Sequence, residues 1–116
     1  MKGKRVQPDE NGWFGNHLEP GDYVLVDPKR NADGSPLRVD FDWKKHYPMW
    51  LACSPNGHTA NLHGHKITEH ADGSISARPS IRITISYDRG KTEVELYHGF
   101  LTAGEWHAEP RDLPPI

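Results

Sequence analysis

The sequence predicts an all-β protein, either a small antiparallel β-sandwich or a barrel-like meander with long loops. Turn signals rich in Gly, Pro, Asn and Asp recur near positions 11, 21, 33, 56, 72, 89 and 103, a spacing typical of seven or eight short strands. No stretch of helical length shows the 3.6-residue apolar period of a helix. The 116 residues suit one domain, with residues 1–11 and 109–116 as extended arms.

A hairpin of residues 80–87 and 92–100 is predicted to form the centre of the sheet. Apolar residues alternate with polar ones from Ile81 to Tyr87, the pattern of a strand with one buried face. Gly90 can adopt positive φ, which favours a tight turn at 88–91. A symmetric loop then places three pairs of residues opposite each other: Ile85 and Val94, Ile83 and Leu96, and Ile81 and His98.

Shorter strands are predicted on either side of this hairpin. They cover residues 23–26, 37–41, 49–53, 65–70 and 75–77, with one turn of helix at 42–47. The tetrapeptide Ala-Asp-Gly-Ser occurs at 32–35 and again at 71–74. We interpret the two copies as one turn chemistry used twice, since Asp and Gly both favour turns.

Composition narrows the class of protein. The formal net charge of −2 argues against general nucleic-acid binding, which needs a basic excess. A single cysteine excludes an intramolecular disulfide and indicates a reducing compartment. No apolar run resembles a secretory signal or a membrane span. We therefore expect no membrane association, and a location inside a cell or in a particle assembled inside a cell.

Histidine is abundant, with eight copies in the chain. Imidazole and thiolate groups are the ligands that zinc prefers. Candidate zinc ligands are the one cysteine and four histidines of the C-terminal half: Cys53, His58, His63, His65 and His98. The spacing matches no standard zinc signature. In the alternative interpretation, the histidines lie in hydrogen-bonded turns, His98 belongs to the core, and Cys53 is a small buried apolar residue. Apart from this zinc hypothesis, no cofactor is predicted.

The sequence does not predict an enzyme. It lacks the G-x-S-x-G, H-E-x-x-H and Walker A motifs. Cys53 could serve as a nucleophile only if a cationic neighbour or a helix N-terminus lowered its pKa, and neither is evident around it.

Two groups of residues are candidates for contacts with a protein partner. The first is an aromatic and basic segment, Trp43, Lys44, Lys45 and Tyr47, since Trp and Tyr are enriched at interfaces. The second is Arg78 and Arg82, which could bind an acidic partner. A solvated strand face explains these two arginines equally well, and Trp50 and Trp106 are predicted to belong to the core.

Residues 53–106 resemble a group of short bacteriophage and prophage proteins that form a domain of unknown function. The matching segments are P-N-G-H at 55–58, L-H-G-H-K-I at 62–67, D-G-S-I at 72–75, R-P-S-I at 78–81, H-G-F-L at 98–101 and G-E-W at 104–106. Several members carry additional cysteines and resemble zinc ribbons, whereas this chain has only Cys53. The resemblance implies a phage origin and a β-rich fold, and implies no activity.

Three functions follow as expectations. The first is a small phage-encoded accessory protein that binds proteins, with a host or defence factor or a second copy of itself as the partner. The second is a virion component, such as a decoration or tail-associated protein. The third is a His/Cys zinc-binding domain.

Overall fold

The computed structural model describes residues 1–31, 33–36 and 47–108, which form two four-stranded sheets and confirm the all-β class. The N-terminal sheet contains, in spatial order, β1 (Arg5–Val6), β2 (Tyr23–Val26), β3 (Met49–Cys53) and β4 (Thr59–Asn61). The C-terminal sheet contains β5 (Lys66–Glu69), β6 (Ile75–Tyr87), β7 (Thr92–Thr102) and β8 (Glu105–Ala108). The sheets do not close into a barrel, which favours the sandwich among the predicted architectures.

One core lies between the two sheets. Its fully buried members come from both sheets: Tyr23, Trp50, Ala52, Leu62, Ile75, Ala77, Ile81, Ile83, Leu101 and Trp106. Trp50 and Trp106 are therefore core residues, as predicted. Trp106 also donates a hydrogen bond of 2.7 Å from Nε1 to the carbonyl oxygen of Gly21, so a residue of β8 is bonded to the turn before β2. This bond satisfies a polar atom that burial would otherwise leave without a partner.

Residues 1–6 connect the two sheets, which revises the prediction of residues 1–11 as an arm. β1 pairs in parallel with β2, whereas Lys2 forms an antiparallel bridge with Glu105 at the start of β8. The amide of Gly3 donates to the carbonyl oxygen of Gly104 at 2.8 Å. The segment is bonded on both sides, because its backbone groups complete two sheet edges.

The predicted hairpin is present and longer than expected. β6 continues without interruption from Ile75 through Pro79, so the predicted strands at 75–77 and 80–87 are one strand. The register shifts between Ala77 and Ile81, where Pro79 cannot donate a backbone hydrogen bond. The turn after β6 is a short 3₁₀ segment, Asp88–Gly90, in which all three residues have positive φ.

A second register shift corrects two of the predicted pairs. Ile85 faces Val94, as expected, but Ile83 faces Tyr97 and Ile81 faces Gly99. The shift lies between Ile83 and Thr84, where β7 advances two residues for one on β6. Leu96 is the additional residue of this β-bulge. A symmetric-loop prediction cannot anticipate a bulge several residues from the turn.

The isoleucine face is buried only in its first half. Ile81 and Ile83 are 2% and 8% exposed, whereas Ile85 and Tyr87 are 39% and 51% exposed. The prediction that all four residues share one buried face is wrong beyond Ile83. The outer half of the hairpin extends past the part of the molecule that covers the inner half.

The two Asp-Gly-Ser sequences form the same turn, as predicted. In each, the Asp carboxylate accepts hydrogen bonds from the Ser backbone amide at 2.9 Å and from the Ser hydroxyl at 2.6 Å. The central residues, Gly34 and Gly73, have φ of 87° and 89°. The local sequence therefore determines this turn in two different places. Ala32, the strand predicted at 37–41, residues 42–46 of the predicted helical turn and the tail at 109–116 lie outside the described residues.

Candidate functional site

The five predicted zinc ligands do not meet at one point. Cys53 is 1% exposed and lies at the end of β3. His58 follows the turn that comes after β3, and its backbone amide donates to the hydroxyl of Ser54. Over the described residues, which include all five candidates, no group of three or more His, Cys, Asp or Glu side chains is arranged to hold a metal ion. Burial of Cys53 agrees with its interpretation as a small apolar residue, and zinc binding stays a prediction.

Two of the histidines do converge, on Ser80, which lies in β6 at the register shift between Ala77 and Ile81. His65 Nε2 lies 3.1 Å from the Ser80 carbonyl oxygen, and His98 Nε2 lies 2.8 Å from the Ser80 hydroxyl. His98 Nδ1 is also 3.4 Å from a carboxylate oxygen of Glu95. Since a carbonyl only accepts, the Nε2 of His65 must carry the proton. His98 faces Arg82 across the hairpin, which corrects its predicted position opposite Ile81.

His65 and His63 also border a cleft between the two sheets. The cleft has a volume of about 250 Å³, below the usual size of a small-molecule site. Its remaining walls are formed by Pro48, Met49, Trp50, Leu62, Gly64 and Ile67. His65 Nδ1 is buried here without a hydrogen-bond partner. The cleft brings together two of the predicted ligands but no third ligating side chain among the described residues.

Of the predicted aromatic and basic partner-binding segment, the structure describes only Tyr47. Trp43, Lys44 and Lys45 lie outside the described residues. Tyr47 is half-buried and packs edge-to-face on Trp13, with ring centroids 6.1 Å apart.

Both predicted arginines are bonded to their own sheet. Arg78 Nη1 donates to the carbonyl oxygens of Ala77 and Leu101, and its Nη2 donates to the Thr102 hydroxyl. Arg82 lies 3.0 Å from Glu93 and 3.2 Å from Glu95 on β7, so opposite charges meet on the polar face of the hairpin. These contacts hold both arginine side chains against their own sheet. Their contact with a partner stays a prediction.

The structure also shows an exposed apolar surface that the sequence pattern does not predict. At the outer end of the hairpin, three apolar side chains are exposed, which we call the tip patch: Ile85 at 39%, Tyr87 at 51% and Val94 at 41%. Ile85 and Val94 are direct cross-strand neighbours, and Tyr87 follows Ile85 by two residues on the same face. The signal that could have found the patch is strand length, because β5 and β8 have four residues each against thirteen in β6 and eleven in β7.

Strand pairing beside the tip patch also ends early. β5 pairs with β6 only as far as Arg78, and β8 pairs with β7 only from Gly99 onward. Across the described residues, β6 beyond Ile81 and β7 before His98 have only each other as strand neighbours. Their outer edges therefore present backbone N–H and C=O groups to a further strand.

Comparisons with protein-family models, with curated proteins and with solved structures found no match to the chain. In the described part of the chain, no helix has the length and the apolar character needed to span a bilayer.

Proposed function

We propose that this chain is a small phage-encoded accessory protein that acts by binding other proteins through the outer half of its β6–β7 hairpin. The observation that carries the proposal is the tip patch. Three neighbouring apolar side chains are 39–51% exposed at the end of a two-stranded extension, whereas the same face is buried closer to the core.

The surroundings of the tip patch support a protein as the partner. An exposed strand edge binds an extended polypeptide by adding it to the sheet, where backbone hydrogen bonds provide affinity and adjacent side chains provide specificity. Tyr87 supplies an aromatic ring with a polar hydroxyl, a residue type enriched at protein interfaces. Arg82, Glu93 and Glu95 place both signs of charge on the opposite face of the same strands. The tip thus combines apolar contact area, backbone hydrogen-bonding groups and charges.

The phage origin rests on the motifs between residues 53 and 106 that resemble bacteriophage and prophage proteins. Accessory proteins of that origin meet the proteins of the infected cell, so a host or defence factor is the natural class of partner, beside a second copy of the chain.

Affinity capture from host lysate, together with a measurement of self-association, tests the proposal. The test variant, Ile85→Ser with Tyr87→Ser, removes apolar area from exposed positions. The matched control, Lys66→Ser with Thr68→Ser, changes exposed residues of β5 on the same sheet. We expect wild-type and control proteins to retain the same partner and the tip variant to lose it. Equal binding by all three proteins, or neither a captured protein nor self-association, would contradict the proposal.

A further inference from the structure

We infer that the hairpin tip binds the tip of a second copy of this chain, with β6 pairing antiparallel to β6 about a two-fold axis at Ile85. This inference rests on the proposed function, because it names the partner of the same surface. Three features of the tip carry it: the open edge of β6, the charges that face each other in this register, and the apolar side chains that the pairing covers.

The open edge of β6 begins immediately after Ser80. The carbonyl oxygen of Ser80 accepts a hydrogen bond from Nε2 of His65 at 3.1 Å, and the pairing of β6 with β5 ends earlier, at Arg78. Beyond this point, β6 continues to Tyr87 with β7 as its only strand neighbour among the described residues. The edge from Ile83 to Tyr87 provides five residues for an antiparallel pair centred on Ile85.

Symmetry restricts the registers that two copies of β6 can adopt. Residues that face each other across an antiparallel pair point to the same side of the sheet, so a two-fold axis must pass through a residue that faces its own copy. With the axis at Ile85, Thr84 faces Ser86 and Ile83 faces Tyr87 of the second copy. Ile85 then faces Ile85 of the second copy, which buries its exposed side chain.

Charge selects this register among its neighbours. With the axis at Ile85, Ile83 faces Tyr87 at both ends of the paired segment, so Arg82 lies beside Asp88, the first residue of the turn in the second copy. With the axis at Thr84, Arg82 faces Ser86, and with the axis at Ser86 it faces Gly90. Arg82 uses Nε for Glu95 and Nη2 for Glu93, which leaves Nη1 for the carboxylate of the second copy. Opposite charges at facing positions stabilise a strand pair.

The outer edge of β7 does not offer an equivalent pair. An axis at Glu93 or Glu95 places each glutamate against its own copy, and an axis at Val94 places Glu93 against Glu95 of the second copy. Like charges at facing positions are destabilising. The edge of β6 is therefore the one that self-associates, and because the contact is symmetric it closes as a dimer instead of growing into a chain.

The pairing covers the apolar surface that the monomer leaves exposed. Ile85 and Tyr87 both lie on the face that is buried nearer the core, and each gains an apolar neighbour from the second copy. Val94 lies beside Ile85 across the hairpin and borders the new contact. The paired segment is short, so the dimer forms reversibly and depends on concentration.

Two measurements test the inference. The mass of the full chain in solution should rise from monomer to dimer between about 10 µM and about 1 mM, the range expected for a small interface. Asp88→Asn, which removes the charge and suits positive φ, should raise the dimer dissociation constant about two- to fivefold, the effect of one exposed ion pair. Lys91→Gln, a charge change on the same loop outside the register, should leave the dissociation constant unchanged.

Cysteine cross-linking then tests the register. Ile85→Cys places the thiols of the two copies at facing positions, within the range of a disulfide, whereas Val94→Cys places an equally exposed thiol on the other strand. The native Cys53 is buried, and the unsubstituted protein measures its background. We expect Ile85→Cys to form several-fold more covalent dimer than Val94→Cys or Thr84→Cys.

Wild-type protein that stays monomeric throughout this range, or a covalent dimer that forms equally with Val94→Cys, would overturn the inference. The proposed function would survive that result if the tip variant still lost a captured protein. It would fail together with the inference if the tip variant behaved as wild type in every binding measurement.

Discussion

Asp72 accepts two hydrogen bonds from Ser74, one from its backbone amide at 2.9 Å and one from its hydroxyl at 2.6 Å. These bonds favour the ionised carboxylate and lower the pKa of Asp72 from its ordinary value of 3.8. A carboxyl whose pKa is lowered by folding stabilises the folded state above its unfolded pKa, and this stabilisation is lost as pH falls through the folded pKa. The turn should therefore weaken in acid.

Asp72→Asn tests whether ionisation of Asp72 stabilises the folded state, since the amide keeps an acceptor oxygen but does not titrate. We expect the variant to unfold at lower urea concentration than wild type at neutral pH. The difference between the two proteins should shrink as the pH falls below 3.8 and the wild-type carboxylate becomes protonated. Asp33→Asn, in the equivalent turn with Ser35, should behave in the same way, because the pKa of Asp33 is lowered by the same two bonds. A difference that stays constant into strong acid would show that ionisation of the carboxylate does not matter.

Ile83→Asp should unfold the domain. Ile83 is 8% exposed in the shared core, so the substitution buries a carboxylate without a partner and should cost more than about 3 kcal/mol. Arg82→Ala, at the neighbouring residue on the other face, removes an exposed guanidinium and its two ion pairs and should cost less than about 1 kcal/mol. Circular dichroism and urea unfolding distinguish the two variants. A folded Ile83→Asp beside an unfolded Arg82→Ala would mean that the faces of β6 are inverted.

Trp106→Phe should lower the free energy of unfolding by about 1–3 kcal/mol, because it leaves the buried carbonyl oxygen of Gly21 without a donor. Trp13→Phe is the matched control. Trp13 Nε1 also donates to a backbone carbonyl, that of Arg30, but at an exposed site where water can replace it. Urea unfolding of both variants should therefore give a larger loss for Trp106. Equal losses would argue against Gly21 as a buried acceptor.

Gly3→Ala should detach the N-terminal segment from the sheets. A Cβ atom at Gly3 would lie 1.8 Å from the carbonyl oxygen of Gly21, a distance that only backbone movement can relieve. Gly15→Ala is the control, since a Cβ there meets no atom within 4 Å. Amide hydrogen exchange should show lost protection at residues 3–6 in the first variant and wild-type protection in the second. Normal protection in Gly3→Ala would place the segment elsewhere.

Local pattern was enough to predict much of this fold. The strands at Tyr23–Val26 and Met49–Cys53 match their predicted bounds, since apolar runs bounded by turn residues determine both ends. The repeated Asp-Gly-Ser turn follows from side-chain bonds that span only two residues. In contrast, the bulge at Leu96 and the docking of residues 1–6 depend on contacts with distant segments, which no local pattern encodes.

The candidate site was less predictable than the fold. The alternation of isoleucines indicates which side chains share a face, but exposure of Ile85 and Tyr87 depends on how far neighbouring strands extend along that face. The contacts of the histidines are difficult to predict for a different reason. The number of histidines indicates a shared site, yet their positions along separate turns and strands decide which of them meet. Among the described residues, His65 and His98 share Ser80.

The connection of residues 1–6 to both sheets affects the order of events during synthesis. Met1 accepts a hydrogen bond at its carbonyl from the amide of Trp106, and Gly3 bonds to Gly104, so residues 1–3 cannot reach these partners until β8 has been synthesised. Closing contacts over a hundred intervening residues carries an entropic cost that short-range pairing does not. In a nascent chain arrested before β8, residues 1–3 would lack these partners. Pulse-labelling of arrested chains would detect when the contacts form.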